Sequence, residues 1–124
     1  MDWTLWLIAG GVILGFWILK RSGQISAELA RRHLKEGAVV IDVRSAAEFG
    51  EGHLPDALNV PLGELADAMP RRVPDKNAVV LLHCLSGGRS AIAKSRLKAL
   101  GYRQVFNLGS YSRAKAIVAQ ARLG

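Results

Sequence analysis

Most of the chain shows one of two hydrophobic patterns: short apolar runs typical of buried strands, and segments with the period of a helix. Apolar runs rich in β-branched residues, which are typical of strands buried in a parallel sheet, occur in AVVIDV, DALNVP, NAVVLLH and QVFNL. Segments of helical composition and period lie around them: SAELARRHLKEG, SAAEFGEG, LGELADAMP, SAIAKSRLKALG and SYSRAKAIVAQARL. Strands that alternate with helices predict an α/β fold with an open, mostly parallel sheet flanked by helices.

The first segment of the chain shows neither pattern. Residues 3–19, WTLWLIAGGVILGFWIL, carry no charge, and a helix of this length spans about 25 Å, just short of the hydrocarbon core of a bilayer. Tryptophans, which anchor membrane helices at both interfaces, lie near its ends: Trp3, Trp6 and Trp17. We therefore predict one transmembrane helix in an anchor over residues 1–21, and one further domain over residues 22–124. Gly11 and Gly15 have the spacing of small residues at helix contacts, which predicts a weak homodimer.

The charges around this segment predict its orientation. Lys20 and Arg21 follow it, and no basic side chain precedes it. The positive-inside rule then predicts a single pass through the cell membrane with the larger domain in the cytoplasm. A lone cysteine, which forms no internal disulfide, fits that reducing compartment. Two alternatives stay open: a cleaved signal peptide, and a helix buried against the domain.

Composition limits the function further. The formal charge of +7 comes from 17 Lys and Arg against 10 Asp and Glu in 124 residues. The basic residues are scattered without a run longer than a pair, so we predict no nucleic-acid binding. Three histidines and one cysteine without a short ligand spacing predict no metal site, and we expect no cofactor.

The only cysteine, Cys84, stands in HCLSGGRS, between a predicted strand and a helix that begins near Ser90. Ligands of open α/β sheets bind outside the carboxyl ends of the strands. Gly87 and Gly88 allow backbone N–H groups to curl toward the sulfur at the positive end of the helix dipole. These features stabilise a thiolate, so the sequence predicts an anion cradle with a nucleophile at its edge.

Other polar residues are expected to have structural roles. Asp42 ends a strand and is expected to bond backbone amides or the region of Arg44. Arg44 is expected to pair with Glu48, four residues further on, because that spacing suits a helix surface. His83 precedes the cysteine, but adjacent strand side chains point to opposite faces, so we expect it to orient the loop rather than act as a base. His53 is expected to tie a turn.

Two motifs in this order resemble the single-domain rhodanese sulfurtransferases. HCLSGGRS looks like their active-site loop, and VVIDVRSAAEFGEGHLPDALNVPL, residues 39–62, is similar to their first-half signature. The likeness covers about residues 24–121 and implies the small rhodanese-like α/β domain. It also implies that Cys84 is the catalytic nucleophile, which carries sulfur. The substrate-binding loop implied by the resemblance consists of Leu85, Ser86, Gly87, Gly88, Arg89 and Ser90.

The size of the loop separates related activities. Six residues run from Cys84 to Arg89, as in the sulfurtransferases, whereas phosphatases of the same fold have seven. The loop also holds no carboxylate to act as a general acid. The resemblance therefore implies a sulfurtransferase with thiosulfate or a persulfide as donor and a thiol, cyanide or a protein as acceptor, and the first segment is expected to anchor it in the membrane. Arg89 is expected to attract the anionic donor and to hold the loop.

Two other functions stay open. The domain could be a membrane-tethered binding module without turnover or, less favoured by the loop size, a phosphatase or arsenate reductase. The chain also departs from the family pattern at Asp56, where glycine is usual, and at Ser110 and Tyr111, which replace a glycine and its neighbour. These three positions are expected to lie away from the loop and to affect substrate fit and partner surface.

Overall fold

The structure, a computed structural model, describes residues 2–123, and for residues 16–22 it describes the backbone alone. Met1 and Gly124 lie outside the described residues. Helices and strands alternate after a long first helix, in the order α1 (Trp3–Ser22), α2 (Ala27–Lys35), β1 (Val39–Asp42), α3 (Ala46–Glu51), β2 (Leu58–Asn59), a 3₁₀ turn (Leu62–Glu64), α4 (Leu65–Arg72), β3 (Val79–His83), α5 (Gly88–Ala99), β4 (Gln104–Gly109) and α6 (Tyr111–Leu123).

Local sequence explains where two of the helices begin. The Ser26 side chain accepts a hydrogen bond from the Leu29 N–H at 3.2 Å and so caps α2. Ser45 and Glu48 form a reciprocal capping box at the start of α3. Each cap satisfies backbone N–H groups that the first turn of a helix leaves without a partner.

The four strands form one parallel sheet in the order β2-β1-β3-β4. Ile41 of β1 lies beside Leu58 of β2 on one side and Leu82 of β3 on the other. The register brings the carboxyl ends of β1, β3 and β4 to the same edge of the sheet. The predicted parallel α/β sheet is therefore confirmed.

Helices cover both faces of the sheet, as a parallel sheet requires. Ile41 and Leu82 point to one face and pack in a cluster with Leu97 of α5. The opposite face belongs to a second cluster, in which Leu81 packs with Ile117 of α6. Because successive side chains of a strand alternate between faces, β1, β3 and β4 each contribute to both clusters.

The first segment is helical, but the predicted membrane anchor is wrong. Within the side chains that the structure describes, no helix is long and apolar enough to cross a membrane. This contradicts the predicted single pass through the cell membrane and the orientation derived from it. The side chains of Trp17, Lys20 and Arg21, on which that prediction also relied, lie outside the described ones.

Two further expectations about this segment are not decided by the fold. Pairing of two chains through Gly11 and Gly15 stays a prediction. The division of the chain after residue 21 also stays a prediction.

Candidate active site

The loop after β3 is held from below by the end of β4. The Cys84 N–H donates to the Gly109 carbonyl at 3.2 Å, and the Tyr111 N–H donates to the Leu85 carbonyl at 3.1 Å. Cys84 itself is fully buried in the cluster between the sheet and α5. Leu85, in contrast, is 58% exposed and lies at the outer rim of the loop.

The sulfur of Cys84 faces hydrogen-bond donors at the start of α5. The Gly87 N–H donates to the sulfur at 3.0 Å. The Ser90 hydroxyl lies 3.5 Å from the sulfur and 3.1 Å from the Gly87 carbonyl oxygen. Gly87 caps α5 with a left-handed φ of +96°, which glycine adopts without strain. Of the two glycines expected to direct N–H groups toward the sulfur, Gly87 does so, whereas Gly88 already has helical backbone and makes no left-handed turn.

These contacts favour the thiolate form of Cys84. Burial raises the pKa of the thiol, because a buried charge is poorly solvated. The Ser90 hydroxyl and the backbone N–H groups of Ser90, Gly87 and Ser86 lower that pKa by more, so it ends below its ordinary value. A thiol of this kind is a stronger nucleophile at neutral pH than a free cysteine.

Asn107 supports the loop, and sequence reasoning missed it. Its side chain is buried, donates from Nδ2 to the Gly87 carbonyl at 3.3 Å and accepts the Gly109 N–H on Oδ1 at 2.8 Å. One amide thus ties the cradle to the end of β4. An asparagine inside the apolar run QVFNL was the signal that could have revealed it, because a buried amide needs hydrogen-bond partners.

The segment before α2 also packs beneath the loop. Gln24 pairs with Asn107 as an isolated parallel bridge. A Cβ atom built on Gly109, which has φ +95°, would lie 2.7 Å from Nε2 of Gln24, and one built on Gly87 would lie 3.2 Å from it. Only residues without a Cβ allow this close approach of the Gln24 side chain to the loop.

Ser110 and Tyr111 are closer to the loop than expected. Ser110 forms an antiparallel bridge with Ser86, and the Tyr111 N–H holds Leu85. The prediction that these two departures from the family pattern lie away from the loop is therefore wrong, because the end of β4 passes directly under it. Asp56 has a left-handed φ of 63°, a conformation that suits the glycine usual at that position.

Arg89, the last of the six loop residues, is bound to Glu48. The guanidinium donates from Nη1 to Oε1 at 2.6 Å and from Nη2 to Oε2 at 3.0 Å, which is a bidentate ion pair. Hydrogen bonding from Arg89 and the Ser45 backbone lowers the pKa of Glu48 to about 2. The predicted pair between Glu48 and Arg44 is wrong, because Arg44 precedes the cap of α3 and the i, i+4 geometry of a helix surface does not apply.

Arg44 instead forms a buried pair with Asp42. The carboxylate accepts the Arg44 backbone N–H at 2.9 Å and the guanidinium Nη2 at 2.7 Å. The same Nη2 donates to the Gly52 carbonyl at 2.7 Å, and the guanidinium lies 4.7 Å from the ring centre of Tyr111. The expectation that Asp42 bonds a backbone amide and the region of Arg44 is confirmed.

His83 points away from the sulfur. Its ring lies 5.8 Å from the ring of Tyr111, whereas Cys84 belongs to the cluster on the opposite face of the sheet. Burial lowers the pKa of His83, because a buried charge is poorly solvated. The expected opposite orientation of His83 and Cys84 is confirmed. His53 ties its turn as expected, with Nδ1 3.0 Å from the Phe49 carbonyl oxygen.

Comparison with known proteins agrees with this architecture. A family model described as a rhodanese-like domain matches residues 26–116, which include the whole sheet and the cysteine loop. The chain belongs to this family. The matched range contains both sequence motifs, residues 39–62 and 83–90, and the sheet that brings them together.

Relatives of the rhodanese-like domain include sulfurtransferases from bacteria and humans. Thiosulfate sulfurtransferase PspE of Escherichia coli is 39% identical over 69 residues, 56% of this chain and 66% of the relative. A sulfurtransferase of Allochromatium vinosum is 35% identical over 89 residues, 72% of this chain and 77% of the relative. The structure of the human single-domain sulfurtransferase TSTD1 superposes with a TM-score of 0.66 at 29% identity, covering 74% of this chain and 94% of that chain.

Proposed function

We propose that this protein is a sulfurtransferase that receives sulfane sulfur on Cys84 and passes it on as a persulfide. The observation that carries the proposal is the cradle itself, in which a thiol of lowered pKa accepts the Gly87 N–H at 3.0 Å. Donors aimed at the sulfur stabilise the anion that forms there during the reaction. The names of the relatives agree with this chemistry.

Transfer begins with the thiolate of Cys84 as the nucleophile. It attacks the outer sulfur of thiosulfate, a new S–S bond forms, and the S–S bond of thiosulfate breaks as its electron pair leaves with sulfite. A persulfide of an organic thiol reacts in the same way and releases its thiolate. The resulting persulfide anion stays bound to Cys84, beside the Gly87 N–H that donates to the sulfur.

The second half of the cycle removes this sulfur. A thiol, cyanide or a protein cysteine attacks the outer sulfur of the persulfide, the bond to Cys84 breaks, and the thiolate of Cys84 is restored. No oxidant or reductant enters either half, because a neutral sulfur atom passes from one nucleophile to another and each leaving group keeps the electron pair of the broken S–S bond. The six-residue loop suits one added sulfur atom better than a tetrahedral phosphate.

Intact-mass spectrometry of the full chain after incubation with thiosulfate tests the proposal. We expect the wild-type protein to gain one sulfur atom, which cyanide removes as thiocyanate, and the Cys84→Ser variant to gain none. Hydrolysis of p-nitrophenyl phosphate should be absent from both. A wild-type chain that never gains sulfur from thiosulfate or from an organic persulfide would contradict the proposed function.

A further inference from the structure

The ion pair at the edge of the loop fixes the charge that an incoming donor meets. Glu48 and Arg89 share two hydrogen bonds, and their side chains are 30% and 37% exposed, so the pair lies at the surface and not in the core. The positive charge of Arg89 is therefore neutralised by the carboxylate of Glu48 before any substrate binds. A site that attracted anions by charge alone would leave this guanidinium free.

The pair also lies close to the reacting sulfur, because Arg89 stands between Gly87, whose N–H donates to the sulfur at 3.0 Å, and Ser90, whose hydroxyl lies 3.5 Å from it. Glu48 makes the largest contribution to the raised pKa of Arg89, and the thiolate of Cys84 raises it further. A donor anion that reacts at Cys84 is therefore subject to the potential of this guanidinium and of the carboxylate bound to it.

Glu48 is held in place independently of Arg89. Its Oε1 accepts the Ser45 N–H at 3.2 Å and the Ser45 hydroxyl at 3.1 Å in the capping box of α3. Arg44, the arginine of the first motif, likewise forms an ion pair with a carboxylate, that of Asp42. Both motif arginines are therefore paired with carboxylates, and the exposed Leu85 adds an apolar surface at the rim.

We propose that Glu48 is a specificity-determining residue that selects the sulfur donor by its charge. Because Glu48 neutralises the charge of Arg89, it reduces the attraction of the loop for a dianion such as thiosulfate more than for a donor with one negative charge. This inference rests on the proposed function and refines its substrate class, because the chemical step is the same for both kinds of donor.

Two donors of similar shape and different charge test this role. Thiosulfate is a dianion, and methanethiosulfonate carries the same transferable sulfur with a single negative charge and leaves as methanesulfinate. In Glu48→Gln we expect kcat/KM to rise about tenfold for thiosulfate and about threefold for methanethiosulfonate, since the energy of a charge in a given potential is proportional to that charge. Glutamine preserves the capping box, so α3 is retained.

Glu51→Gln is the matched control, because Glu51 lies exposed on the same helix and the substitution makes the same change in net charge. Its ratio of the two kcat/KM values should equal that of the wild type. The gain in Glu48→Gln should also shrink as ionic strength rises, because salt screens partly exposed charges.

Three results would overturn the inference: an equal change for both donors, a loss for both donors in a variant that melts like the wild type, or a thiosulfate gain that Glu51→Gln reproduces. A wild-type chain that neither donor loads would instead remove the proposed function, and with it this role for Glu48. Loading of the wild type by both donors, with an unchanged ratio in Glu48→Gln, would remove this inference alone.

Discussion

The hydroxyl of Ser90 has one proton and two acceptors within reach. The sulfur of Cys84 lies 3.5 Å away and the Gly87 carbonyl oxygen 3.1 Å away, so the proton can be donated to only one of them at a time. A thiolate competes for this proton better than a thiol, because hydrogen bonds to charged groups are the stronger ones. Ser90 therefore favours ionisation of Cys84, in agreement with the direction of its pKa.

Replacement of Ser90 by alanine should raise the pKa of Cys84, because the hydroxyl that stabilises the thiolate is lost. The reactive thiolate is lost as pH falls through the pKa of Cys84, so the rate of loading by thiosulfate rises with pH and then reaches a plateau. In Ser90→Ala this plateau should begin at higher pH. The pH profile of persulfide formation, followed by intact mass, measures the shift.

Ser86→Ala is the control for this experiment. Its side chain is removed but the backbone N–H that lowers the pKa of Cys84 is retained. The profile of this variant should match that of the wild type. A Ser90→Ala profile that also matches the wild type would show that the hydroxyl proton goes to the Gly87 carbonyl instead.

At the scale of elements, the junction between β3 and α5 depends on one glycine of the pair. Gly87 has φ +96°, and a Cβ atom there would lie 3.2 Å from the Gln24 side chain and 3.4 Å from the Gly109 backbone. Gly88 begins the helix, and a Cβ atom there would meet nothing within 4 Å. A side chain is therefore expected to be tolerated at Gly88 but not at Gly87.

We expect Gly87→Ala to lower the free energy of unfolding by about 1–3 kcal/mol, the usual strain of a left-handed residue with a side chain, and to slow sulfur loading at least tenfold. Gly88→Ala, its neighbour and control, should keep wild-type stability, because alanine favours a helix. Urea unfolding and loading rates measure both. Equal effects of the two substitutions would show that the cradle adjusts to a side chain at either position.

The elements themselves were predictable because their signals are local. Ser26 caps α2 within four residues of chain, and the run VVLLH predicts a buried strand wherever it occurs. The bond between Glu48 and Arg89, in contrast, joins residues 41 positions apart. It depends on how α3 and α5 are placed around the sheet, which the spacing of residues along one helix does not reveal.

At the scale of the whole molecule, the residues between α1 and α2 join the sheet. The Ile25 N–H donates to the Asn107 carbonyl at 3.0 Å, and Ile25 is 7% exposed within the cluster beside α6. The described side chains of α1 are exposed as far as Leu14. The stability of the domain therefore depends on Gln24 and Ile25 more than on those side chains.

Removal of residues 1–25 should lower the free energy of unfolding by about 2 kcal/mol, because the buried Ile25 side chain is lost. Removal of residues 1–22 should leave it within about 0.5 kcal/mol of the full chain. Thermal or urea unfolding of the two truncated chains beside the full chain makes the comparison. Equal losses in both would assign the stabilisation to α1 instead of Gln24 and Ile25.

The position of Gln24 and Ile25 also affects how the protein behaves at high concentration. Open strand edges expose backbone groups to which other chains can add, and this is a common route to aggregation. In the described sheet, one edge strand, β2, is only two residues long, and the carboxyl half of the other, β4, is covered by the bridge from Gln24. The sheet therefore offers little template for intermolecular β-pairing.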